Sequence, residues 1–134
     1  MAMGFVPSRI NQGHMQGWEY LPAGAITPKV GMALTQTNGL LAVAAGTTRP
    51  SYISMMESNA ALTSGDLIPV IHVDDNALYD VTNSAAFTSI KVGDKVTISS
   101  DGMQVTATKT DGVAQVANIG DTPVGSTITV RFPG

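Results

Sequence analysis

The stretch VGMALTQTNGLLAVAAGTT, Val30 to Thr48, runs nineteen residues between Lys29 and Arg49 without a charge. That is about the length at which an apolar helix crosses a bilayer. Its internal chemistry argues against that reading. Three glycines and the polar group Thr35 to Asn38 are costly in a membrane helix. Val30, Met32 and Leu34 alternate with smaller or polar residues, and Asn38-Gly39 follows. Both residues of that pair accept the positive φ of a type I′ turn, which makes it the strongest short hairpin signal. The apolar run Leu40 to Ala45 then returns and Gly46 closes it. The stretch reads as a β-hairpin.

The same grammar continues downstream. Val96 and Ile98 alternate with Thr97 and Ser99, then Asp101-Gly102 turns the chain. Met103, Val105 and Ala107 alternate with Gln104, Thr106 and Thr108, and Asp111-Gly112 turns it again. Val113 to Ile119 reads as a strand, and Ile128, Val130 and Phe132 alternate with Thr127, Thr129 and Arg131. Period-two patterning with turn signals about every ten residues predicts an all-β fold, an antiparallel sandwich or small barrel. The run Asp66 to Val73 is also strand-like, with Pro69 placing it at an edge or bend. One short helix is expected at Ser84 to Ile90, where Phe87 and Ile90 share a face and Asn83 offers a cap. Val-Gly-x-x-aliphatic recurs at Val30, Val92 and Val124, with a looser copy at Ser64. The uneven spacing fits a glycine at the turn before each strand better than a structural repeat.

The chain has 134 residues, enough for one domain with a hydrophobic core. Charged residues make up 13%, roughly half the usual ~25%. Fifteen Thr, ten Ser and fourteen Gly take their place. A surface so poor in Lys and Glu suits burial against neighbours. Net charge is −3 and the seven basic residues are scattered, so no basic stripe exists for nucleic acid. Cysteine is absent, which removes disulfides, thiol nucleophiles and thiolate metal sites. The N-terminus lacks the pattern of a signal peptide, so synthesis in a cytosol is expected.

Residues 1–28 differ from the single β-rich domain expected over 29–134. They hold three of the seven prolines, the single Trp and no sustained alternation. Phe5, Ile10, Trp18, Tyr20 and Leu21 are apolar groups that a solvated tail has little reason to carry. They are read as candidate anchors of an extended N-terminal arm on a neighbouring subunit, against a disordered tail or packing within the chain.

Signals for chemistry are sparse. His72 and Asp74 alternate on a strand-like run, too few for a zinc site. Asp74, Asp75, Asn76 and Asp80 form the densest acidic patch, without calcium-loop spacing. No nucleophile elbow, phosphate loop, dinucleotide-binding glycine pattern or zinc-protease helix motif occurs. No catalytic residue, metal or cofactor is therefore expected.

The order EYLPAGA (Glu19–Ala25), KVGMALTQTNGLLAVAAGTTRPSYISM (Lys29–Met55), SGDLIPVIHV (Ser64–Val73) and IKVGDKVTI (Ile90–Ile98) resembles tailed-bacteriophage head decoration, or capsid cement, proteins. The similarity is one of element order and turn placement, from about Glu19 to Phe132. The resemblance implies a β-tulip-like or small-barrel fold and assembly as a homotrimer. It implies a virion protein on the capsid exterior, made in the host cytoplasm, that clamps adjacent major-capsid subunits. It brings no catalytic residue, cofactor, nucleic-acid or membrane partner, and it implies capsid contacts through an N-terminal arm. The alternative reading is a non-catalytic carbohydrate- or host-surface-binding β-module. That module would display Trp18, Tyr20, Tyr52 or Tyr79 together on one face.

Overall fold

The computed structural model describes residues 4–9, 18–74 and 77–133. Within them the chain is all-β, in two antiparallel sheets arranged as in a β-sandwich. The strands are β1 (Val6–Arg9), β2 (Glu19–Pro22), β3 (Ala33–Thr37), β4 (Leu40–Val43), β5 (Tyr52–Ser54) and β6 (Leu67–His72). They continue with β7 (Leu78–Asn83), β8 (Lys95–Val96), β9 (Gln104–Val105), β10 (Ala114–Ile119) and β11 (Thr127–Arg131). The first sheet has the order β1-β7-β11-β10-β8, with β9 running parallel beside the end of β7. The second has the order β2-β6-β5-β3-β4.

The opening stretch forms the β3–β4 hairpin. Thr37 pairs with Leu40 across a two-residue loop, and Asn38 and Gly39 sit at φ 53° and 79°, as a type I′ turn requires. The four Val-Gly-like copies also share one geometry. Gly31, Gly65, Gly93 and Gly125 have φ between 85° and 98°. Each is the third residue of a turn closed by an N–H three residues after the carbonyl, such as Met32 N to Lys29 O at 3.0 Å and Asp94 N to Lys91 O at 3.0 Å. A glycine at that corner supplies the left-handed conformation.

Between the sheets lies the main core, which includes Phe5, Ala33, Ile53, Ile71, Tyr79, Val81, Val105, Val116, Ile128 and Phe132. Phe132 meets Phe5 edge-on at 5.2 Å and Tyr79 at 5.5 Å. The opposite face of the second sheet covers a smaller cluster of Ala23, Met32, Leu34, Leu41, Ile68, Val70 and Met103. A parallel bridge between Ala23 and Leu41 joins that sheet's two edge strands, so the sheet curls around the cluster.

Three expectations are corrected. Residues 84–90 form no helix, because amides at the start and middle of the segment bond to distant carbonyls. Ser84 N donates to Val105 O and Phe87 N to Thr122 O, both at 2.8 Å. Asn83 is no cap; its buried carboxamide donates to Ala85 O and Thr122 O and accepts from Ser126 N. The described part of 1–28 is not an extended arm, since β1 pairs with β7, β2 pairs with β6, and Phe5 is fully buried. Pro69 sits in an inner strand rather than at an edge. Its carbonyl accepts from Met55 N at 3.0 Å, just past the end of β5. The amide position of a strand residue faces the same side as its carbonyl, so the proline's missing donor removes a bond at the end of the β5–β6 ladder rather than in its middle. Among the described residues no helix is long and apolar enough to cross a membrane.

Two outcomes follow from this packing. Phe5→Ala is expected to destabilise the isolated protein by about 3–5 kcal/mol, read from urea unfolding; a docking arm would show no change. Burial pushes the Tyr79 phenol above its usual value, offset in part by the hydrogen bond from the Asp74 amide. The fold thus favours the neutral phenol. That contribution is complete below pH 10 and fades as pH rises through the raised folded value. Denaturation at alkaline pH is expected to show this loss in the native chain and a smaller loss in Tyr79→Phe.

Candidate interaction surface

The exposed large apolar side chains are Val6, Trp18, Tyr20, Val30, Leu67, Val92 and Val124. Val30, Val92 and Val124 are second residues of the glycine turns, where a corner position leaves no room for burial. They need no partner to explain them. Trp18, Tyr20 and Leu67 are different, each exposed by 61–62%.

Their placement follows from strand register. Tyr20 pairs with Pro69 and Pro22 with Leu67 in the antiparallel β2–β6 ladder. Directly paired residues share a face, as do alternate residues of one strand. Tyr20, Pro22, Leu67 and Pro69 therefore line one face, and Trp18 precedes β2 in phase with Tyr20. Ile71 belongs to the same alternation and is buried between the sheets. The strip is thus the core-facing side of the second sheet, continued past the point where the first sheet covers it. Three large side chains exposed by three-fifths offer roughly 350 Å² of apolar surface. That lies in the range of the largest patch on a typical monomer, which is often functional.

Of the five anchors predicted from sequence, only Trp18 and Tyr20 come together at the surface. Phe5 belongs to the main core, and Leu21 is half-buried against the second cluster. Ile10 lies outside the described residues. Leu67 was missed by sequence reading. Its signal is the run Leu67 to Ile71, apolar on both alternating sets, so both faces of β6 carry apolar side chains while one is covered only in part.

The histidine reading takes a different form. His72 Nε2 lies 3.1 Å from Glu19 Oε2, and its ring tilts against Tyr52 at 4.7 Å. Both side chains are about half exposed, so the contact contributes at most a fraction of a kcal/mol. The group sits on the face of the second sheet opposite Tyr20. Among the described residues no three His, Asp or Glu side chains gather to hold a metal. In the acidic patch, Asp80 accepts from Thr129 Oγ1 at 2.8 Å, and Asp75 and Asn76 lie outside the described residues. Compared with known protein families and with curated proteins, the chain matches none.

Trp18→Ser with Tyr20→Ser is expected to move stability by no more than about 0.5 kcal/mol, as for surface sites generally. Native Trp18 fluorescence, from the single tryptophan, should be accessible to iodide quenching.

Proposed function

We propose that this chain is a structural protein of a tailed-phage virion, bound to the outside of the expanded capsid, where it cements adjacent major-capsid subunits. The observation that carries the reading is the strip of Trp18, Tyr20 and Leu67 left bare on one face of the second sheet. A surface poor in charge can be buried without stranding unpaired ions. The resemblance in element order to capsid cement proteins points the same way.

Size favours a repeated partner. A patch of roughly 350 Å² is less than half of the ~800 Å² that each side of a stable interface contributes. One such contact is weak and reversible. Several engaged together, in a homotrimer on a lattice of identical subunits, become tight through effective concentration. The docking residues in this reading are on the folded body, at β2 and β6, rather than on an arm.

The carbohydrate-binding alternative asks for aromatics gathered on one face. Tyr79 is buried in the core, and Tyr52 lies on the sheet face opposite Tyr20. Only Trp18 and Tyr20 remain for such a platform.

Co-sedimentation with expanded, decoration-free capsids, against unexpanded procapsids, tests the proposal. Saturable binding to expanded shells alone is expected, with loss in Trp18→Ser/Tyr20→Ser and protection of Trp18 from iodide on docking. Absence of binding to either shell would sink it for that capsid.

A further inference from the structure

Three turns contain Asn or Asp followed by glycine: Asn38-Gly39, Asp101-Gly102 and Asp111-Gly112. Such pairs share an intrinsic reactivity. The glycine main-chain nitrogen can attack the preceding side-chain carbonyl carbon, because glycine carries no Cβ to obstruct the approach. The fold treats the three pairs differently.

Asp101 Oδ1 is held by Ser99 Oγ at 2.6 Å and Met103 N at 3.0 Å. A Cβ placed on Gly102 would stand 2.9 Å from Val43 Cγ1 and 3.1 Å from Ala33 O. Around Gly112 the same test meets the Lys95 backbone at 2.3 Å. Both turns are clamped by packing. At Gly39 nothing lies within 4 Å, Asn38 is exposed, and its carboxamide makes no hydrogen bond among the described residues. The swing of the Gly39 amide toward the Asn38 side chain is opposed only by the two-residue turn itself. Opening that turn is local fraying, not global unfolding.

We infer that Asn38 is a site of spontaneous covalent modification in the folded protein. A bond forms between Gly39 N and Asn38 Cγ, the Cγ–Nδ2 bond breaks, and ammonia leaves carrying the amide proton through solvent. Water then opens the cyclic imide at either carbonyl, giving aspartate or isoaspartate. Either product makes the chain one charge more negative, from −3 to −4. Isoaspartate also inserts a methylene into the main chain of a loop that has only two residues. The Thr37–Leu40 pair cannot keep its register across that insertion. The next residue, Leu41, is buried and its carbonyl receives Gly24 N at 3.0 Å. The change therefore reaches the seam between β2 and β4.

The test is incubation of the folded protein in mildly alkaline buffer made with ¹⁸O-water, followed by tandem mass spectrometry. The expected result is conversion at Asn38 ahead of Asn59, Asn83 and Asn118, with ¹⁸O in the products and both Asp-Gly pairs unlabelled. Asn38→Ser should abolish the early product. If Asn38 persists in the folded chain while the urea-unfolded chain converts, the turn protects it and the inference is overturned. Equal rates at Asn59 or Asn118, or no conversion in either state, would overturn it as well.

Discussion

Strand β7 is hydrogen-bonded to three partners: β11 along one side, with β1 and β9 sharing the other. The rest of the sandwich depends on that arrangement. It brings residues from the beginning, middle and end of the chain into one core, where Phe5, Tyr79 and Phe132 meet ring to ring. Arg49 reinforces the same place from the second sheet's side, its guanidinium donating to Phe132 O at 2.8 Å and to Pro133 O at 3.1 Å. Without β7 the first sheet would lose its order on both sides at once, and the main core would lose one of its walls.

The sequence makes local structure readable and long-range pairing obscure. The β3–β4 hairpin is legible because its turn chemistry and alternation lie within a few residues. So are β10 and β11, and the glycine corners that precede strands. The strands that were not foreseen are β1, β2, β5 and β7; β1, β2 and β5 are short, and β1, β2 and β7 pair with strands far along the chain. In β7 the Tyr79 and Val81 alternation is present but follows acidic residues that suggest a turn. Residues 84–90 look helical by their apolar spacing, yet the carbonyls of Val105 and Thr122 claim their amides. Nothing in the local sequence announces those acceptors.

The same distinction explains the surface. Apolar residues near the N-terminus do mark contacts, but Phe5 and Leu21 find theirs inside their own chain. Trp18 and Tyr20 remain outside because the second sheet extends further than the first one covers. Sequence can show that a residue wants a partner. Whether the partner is the same molecule depends on how far each sheet reaches, which is a property of the pairing and not of the residues.

The register of β7 has a mechanical consequence. β1 enters beside Asp80 and runs toward Leu78, while β11 enters beside Thr82 and runs toward Tyr79. The chain therefore leaves β7 toward opposite ends on its two flanks. Tension between Gly4 and Pro133 pulls these strands lengthwise along β7, so their bonds are loaded in shear and must yield together. A hairpin pulled from its open end unzips one bond at a time; this arrangement resists as a block, a useful property in any component that carries load.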